Sequence, residues 1–206
     1  MQYAQTGDLL LFHGEGWLSN VLEYLGCSKY SHVGILVQNP SFLHPGMKDG
    51  WYVLHSAWGY TTDSEDHEHK FGVQLQKLED VLALYSDHSV YIRNIKTVRD
   101  EAFFERMKEA HRVVHGKPYN INIMDWISAK ENLSNPVAEN PIWKRTDRFW
   151  CSSLVSYVYY KIGWIKETNW SLVAPREYST KEGTGQVLFT VFVEEEEEFF
   201  YSSRVV

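Results

Sequence analysis

Cys151 is the residue of this 206-residue chain best placed to act as a nucleophile. It opens a segment in which Leu154, Val155, Val158 and Ile162 recur at helical spacing, and Cys151 falls on the same face. The spacing predicts a helix over residues 150–162 with the thiol in its first turn, directed at the body of the protein. Unpaired N–H groups and the helix macrodipole favour an anion there. The thiolate is the reactive form of cysteine, and the same N–H groups suit a developing oxyanion on an attacked carbonyl. The alternative for a free cysteine is a small buried hydrophobe, so a nucleophile also requires a base.

Two histidines offer one. His32 begins the run HVGILV, whose β-branched residues predict a strand over residues 32–37. His55 lies in WYVLHSA, a further strand expected over residues 51–57. The intervening residues 38–50 carry Asn39, Pro40, Pro45, Gly46 and Gly50 and read as a loop. If the two strands form a hairpin, the simplest antiparallel register sets His32 opposite His55. One imidazole would then orient the other, as the third member of a triad orients its base. A one-residue slip would send the rings to opposite faces.

The rest of the chain must hold these groups. Strands are expected over residues 7–12, 73–75, 89–95 and 187–193, and helices over residues 17–25 and 100–114. In the second helix Phe103, Phe104, Met107, Ala110, Val113 and Val114 form the buried side, and Gly116 with Pro118 ends it. Residues 61–70 and 132–147 read as exposed loops, and Glu194 to Glu198 as a solvated segment. Strands and helices mix without regular alternation, which favours an α+β fold. The length suits one domain over residues 1–206, with an acidic C-terminal segment at 194–206.

Composition narrows the partners. A net charge of −7 argues against nucleic acid, which needs a basic face. No apolar run approaches the ~20 residues that span a bilayer, and residues 1–8 show no secretory signal. Two cysteines, Cys27 and Cys151, make no disulfide scaffold and suit a reducing compartment, so a cytoplasmic location is expected. Cys27 follows Gly26 at an expected helix end, where the dipole disfavours a thiolate, and reads as structural.

The order GDLLLF, SHVGILV, VLHSA, GKPYN and FWCSSLVSYVYY resembles the circularly permuted branch of the NlpC-type papain-like hydrolases, which includes YiiX-like and poxviral members. The likeness runs from about Gly7 to Pro175, most of the chain. It implies an α+β papain-like fold, a small antiparallel sheet or open barrel packed against helices. It also implies a histidine that precedes the cysteine in sequence. Carried over by position, the nucleophile falls on Cys151, the base on His32 and the third polar residue on His55. YiiX-like members commonly have glutamate at that third position, so His55 is a departure; lecithin:retinol acyltransferase-like relatives use two histidines. Tyr119 in GKPYN matches a tyrosine near the family's site and reads equally as substrate-binding or as a core aromatic.

The resulting expectation is a thiol peptidase or amidase that cleaves a peptide, amide or acyl-ester substrate through an acyl-enzyme, without a cofactor. A lipid thioesterase or acyltransferase is the alternative within enzymes, and an inactive binding module on the same fold is the alternative outside them. No metal ligand is expected: His67-Glu68-His69 lies in a polar stretch with no third ligand at a helix-fixed spacing. His13, His44, His88, His111 and His115 have no partner visible in the sequence. Trp17, Trp58 and Trp164 read as core or groove walls.

Overall fold

The computed structural model describes residues 4–13, 29–86, 89–120 and 141–200. The expected helix over residues 17–25, with Trp17, Cys27 and His88, lies outside them, as does part of the expected loop over residues 132–147. Among the described residues the fold is α+β, with a mostly antiparallel sheet and few helices. Strands β1 (Leu9–Phe12), β2 (His32–Gln38), β3 (Trp51–Thr62), β4 (His69–Lys77), β5 (Val90–Arg93) and β8 (Glu197–Glu198) form one sheet in the order β4-β3-β2-β1-β5-β8. Strands β6 (Ile95–Lys96) and β7 (Phe192–Val193) pair separately. The helices are α1 (Leu78–Leu82), α2 (Glu101–Val114) and α3 (Cys151–Ile162).

Strand alternation sends apolar side chains to both faces of the sheet. Leu9, Leu11, Val33, Ile35, Val37 and Leu54 join the larger core with α2 and α3, while Leu10, Phe12, Leu36 and Val53 meet Leu78 and Val81 of α1 on the other face. Asp8, at the entry to β1, is buried and paired with Arg99 Nη2 at 2.8 Å. Its carboxylate also accepts from Ile95 N–H and Asn94 Nδ2. One carboxylate thus fixes β1 to the stretch that leads into α2.

Each helix end has a local cause. Asp100 caps α2 by accepting from the Phe103 N–H at 2.8 Å. Gly163, with φ 82, ends α3 in the left-handed region that suits glycine. The buried side of α2 is Phe103, Met107, Ala110, His111 and Val114. Val113, expected inside, is 40% exposed, and His111 takes the inward place one step round the helix.

Other expectations also shift. The polar stretch 61–70 is ladder at both ends: β3 continues to Thr62 and β4 begins at His69, leaving residues 63–68 as the turn. The expected strand over residues 187–193 is a two-residue strand at its end. The acidic run is not simply solvated. Glu196 is buried and accepts from Ser179 Oγ at 2.6 Å and the Thr180 N–H at 3.0 Å, while Glu197 and Glu198 pair with Ile92 and Tyr91.

Candidate functional site

The β2–β3 hairpin forms, but its register differs from the simplest one. Ile35 faces Leu54 and Val37 faces Tyr52. Continued toward the start of β2, that ladder sets Gly34, not His32, opposite His55. The difference is two residues, so both histidines keep the same face and become diagonal neighbours. Gly34 leaves the space between them: a Cβ there would lie 2.6 Å from Val53 Cγ1 and 3.3 Å from His55 Cβ. His32 Nε2 stands 2.9 Å from His55 Nδ1. His55 Nε2 in turn stands 2.7 Å from Gln76 Oε1 on β4, again diagonally placed, since the ladder sets Gln74 opposite His55.

These distances fix a proton order. Gln76 Oε1 only accepts, so His55 carries its proton on Nε2. His55 Nδ1 then accepts from His32 Nε2–H, which leaves His32 Nδ1 as the free basic nitrogen. Both rings are held neutral. Burial pushes His55 down to about 4, opposed in part by its hydrogen bond to Gln76. Burial, then the neighbouring His55, pushes His32 well down.

The relay borders a cavity of about 160 Å³, whose wall includes His32, His55, Gln76, Trp58, Tyr85 and Tyr119. A break in the β3–β4 ladder between Ala57 and Thr61 helps open it, since Trp58 and Gly59 leave the register there. Trp58 is half-exposed and packs edge-on against Tyr119 at 5.1 Å between ring centroids. Tyr85 lies over Phe12 at 4.7 Å, and Phe12 lies 5.4 Å from the His32 ring.

Cys151 begins α3, with Trp150 as the extended residue before it. It is 4% exposed, and burial pushes its thiol up to about 11. The backbone N–H groups of Val33, Ser152 and Cys151 pull the other way, as does the Ser152 side chain. The sulfur therefore lies against the residue that follows His32. Charge on this sulfur would also raise the phenols of Tyr85 and Tyr119, which ties it to the cavity wall. The expectation of a thiol acidified by the helix start does not hold at rest, because desolvation outweighs those N–H groups.

Gln76, Tyr85 and the ladder break escaped the sequence reading. The alternation Val73, Gln74, Leu75, Gln76 carried a signal for the first, because it marks one face of β4 as polar. No pattern in the sequence marks the other two.

A second group of side chains gathers where the β3–β4 turn meets the end of α2. It comprises Asp63, Glu65, Asp66, Lys70, His111 and His115. No metal ligand is expected from the sequence, yet Asp63, Asp66 and His115 each offer a ligand atom within 4.8 Å of the others. His67 and His69 are not among them; His69 Nδ1 instead meets Thr62 Oγ1 at 3.3 Å.

No protein-family model matches the chain, and no curated protein matches it. Among solved structures it is similar to the metalloprotein yiiX from Escherichia coli O157:H7 (DUF1105), at 15% identity and a TM-score of 0.50. The match covers 94% of this chain and 98% of that one. At that identity the likeness is one of fold, and it extends over nearly the whole of both chains.

Proposed function

We propose that the protein is a cysteine-dependent hydrolase of papain-like type, with Cys151 as nucleophile, His32 as base and His55 as the residue that orients it. The observation that carries this reading is the run His32–His55–Gln76, hydrogen-bonded along a cavity wall, with the sulfur of Cys151 against the N–H of Val33 next to His32.

The resting pair is neutral. Activation is by general base: His32 Nδ1 takes the thiol proton as sulfur attacks an amide or ester carbonyl. The imidazolium so formed donates through Nε2–H to His55, whose own Nε2–H stays on Gln76. The proton then passes to the leaving amine or alcohol, and water, deprotonated by the same histidine, releases the acid. N–H groups at the start of α3 are suited to hold the oxyanion. Tyr119, in the cavity wall, contacts substrate in this reading. No step needs a cofactor.

Within this class one feature favours acyl esters: the cavity wall includes Trp58, Val81, Leu84 and Tyr85, an apolar surface beside the histidines. The test is a panel of peptide, amide and acyl-ester substrates with wild type and Cys151→Ala. The expected result is turnover by wild type alone, with an acyl adduct on Cys151 in the mass spectrum. Equal turnover by Cys151→Ala would overturn the assignment. Failure of every substrate, with no adduct from activated esters, would favour a binding module on the same fold.

A further inference from the structure

We propose that Asp63, Asp66 and His115, with Glu65 beside them, form a binding site for a divalent transition-metal ion, with Zn²⁺ as the best match. His115 Nε2 lies 3.6 Å from Asp63 Oδ2, 3.5 Å from Glu65 Oε2 and 3.5 Å from Asp66 Oδ2. In a tetrahedral zinc site, with bonds of about 2.0–2.2 Å, neighbouring ligand atoms lie about 3.4 Å apart. The separations to Asp63 and Asp66 match that edge before any side chain moves, and these three ligand atoms lie within 4.8 Å of one another; Glu65 joins them by a shift of its carboxylate.

The carboxylates are also aimed. Asp63 Oδ1 accepts from the N–H groups of Glu65 at 3.0 Å and Leu75 at 3.2 Å, and Asp66 Oδ1 accepts from the Glu68 N–H at 3.0 Å. In each the other oxygen is turned to the cluster, as outer hydrogen bonds orient metal ligands elsewhere.

A second observation is independent of that geometry. Glu65 Oε2 and His111 Nε2 are fully buried and 3.1 Å apart, yet neither makes an aligned hydrogen bond to any group among the described residues. Their side chains are 5% and 4% exposed. Buried polar atoms are rarely left so. Glu65 Oε2 faces His115 Nε2, where a metal ion would satisfy it.

The competing occupant is Lys70. Its ammonium touches Asp63 Oδ2 at 2.8 Å, His115 Nε2 at 3.2 Å and Asp66 Oδ2. One lysine against three carboxylates leaves the cluster short of positive charge. An unprotonated His115 Nε2 accepts from this ammonium and a protonated one donates to Asp63, so the metal competes with Lys70 and binds once the lysine head swings out. Glu65 also borders a cavity of about 420 Å³ with Ser64, His44 and Asp80, which gives an ion a way in. His44 Nδ1 holds the other Glu65 oxygen at 3.1 Å.

The test is a calorimetric titration of the full chain, freed of metal by chelation, with Zn²⁺, and a parallel titration with Co²⁺ followed by visible absorption. Wild type and Cys151→Ser should each bind one equivalent, with the absorption of four-coordinate cobalt and no sulfur-to-cobalt band. His115→Gln and Asp66→Asn, both at partly exposed positions, should weaken binding at least tenfold while keeping wild-type melting without metal. Lys70→Met should tighten it. The absence of stoichiometric binding in wild type would overturn the proposal. So would its loss in Cys151→Ser, or unchanged affinity in His115→Gln and Asp66→Asn.

Discussion

The Cys151 sulfur meets N–H groups from Val33, Ser152 and its own backbone, yet its thiol is pushed up to about 11, because burial removes more solvation from a thiolate than three dipoles return. Alkylation by iodoacetamide should therefore be slow near neutrality and should rise about tenfold per pH unit toward that value, since only the thiolate reacts. Mass-spectrometric rates at the Cys151 peptide measure this, and a plateau already reached near pH 7 would contradict it. The base gives the complementary prediction. His32 acts only when neutral, and its pKa lies well below the ordinary 6.5. The acid limb of kcat/KM should thus fall below pH 6.5 rather than on it, and a limb at or above 6.5 would remove His32 as the base. Replacing His55 with alanine frees His32 Nε2–H. Turnover should drop, but by less than in Cys151→Ala, because the nucleophile is indispensable and the orienting group is not. A thermal melt controls for folding, and wild-type turnover would reduce His55 to packing.

At the scale of elements, Gly34 decides whether the two histidines meet. It is the residue opposite His55, and its missing side chain lets the ring lean diagonally toward His32. Gly34→Val should cost about 1–3 kcal/mol by overpacking and should also lower turnover more than that loss explains. Chemical denaturation and assay of the folded fraction separate the two effects. Unchanged activity would mean that His55 does not need the gap. Much of this frame was legible in sequence. Apolar periodicity located β2, the first half of β3, α2 and α3, and the pairing of SHVGI with the cysteine helix named His32 and Cys151. The diagonal contact was not legible, because the number of residues absorbed by the 39–50 loop sets the register, and that number follows from turn geometry rather than hydrophobic pattern. The cluster at Asp63, Glu65, Asp66, His111 and His115 was missed for a related reason. Polar residues at 61–70 look like a solvated loop until the β3–β4 ladder takes in both ends of the stretch and the tight turn over residues 63–68 brings the carboxylates onto the end of α2. The i, i+4 spacing of His111 and His115 was the available signal.

The whole molecule's stability depends on pH in a definite sense, because the buried imidazoles of His32 and His55 are held in the neutral form. His55 titrates at about 4 in the folded protein and near 6.5 unfolded. Between those values the unfolded chain binds a proton that the folded one refuses, so stability falls as pH falls. The contribution is intact above about 6.5, is lost progressively down to about 4, and amounts to about 3 kcal/mol across the window. His32, also lowered, acts in the same sense. The carboxylates follow later. Asp63 and Glu196 are held down to about 2 by their partners, so the stability they contribute is present above the unfolded carboxylate range and is lost as pH falls toward 2. Acid unfolding should then have two limbs. Urea midpoints measured from pH 7 to 3 should decline first between 6.5 and 4, and His55→Gln should flatten that limb by one proton's worth while leaving the lower one. A stability flat over the first window, or an unaltered slope in His55→Gln, would show that His55 is solvated enough to hold a proton in the folded state. The neutral relay from His32 to Gln76 would then lose its basis.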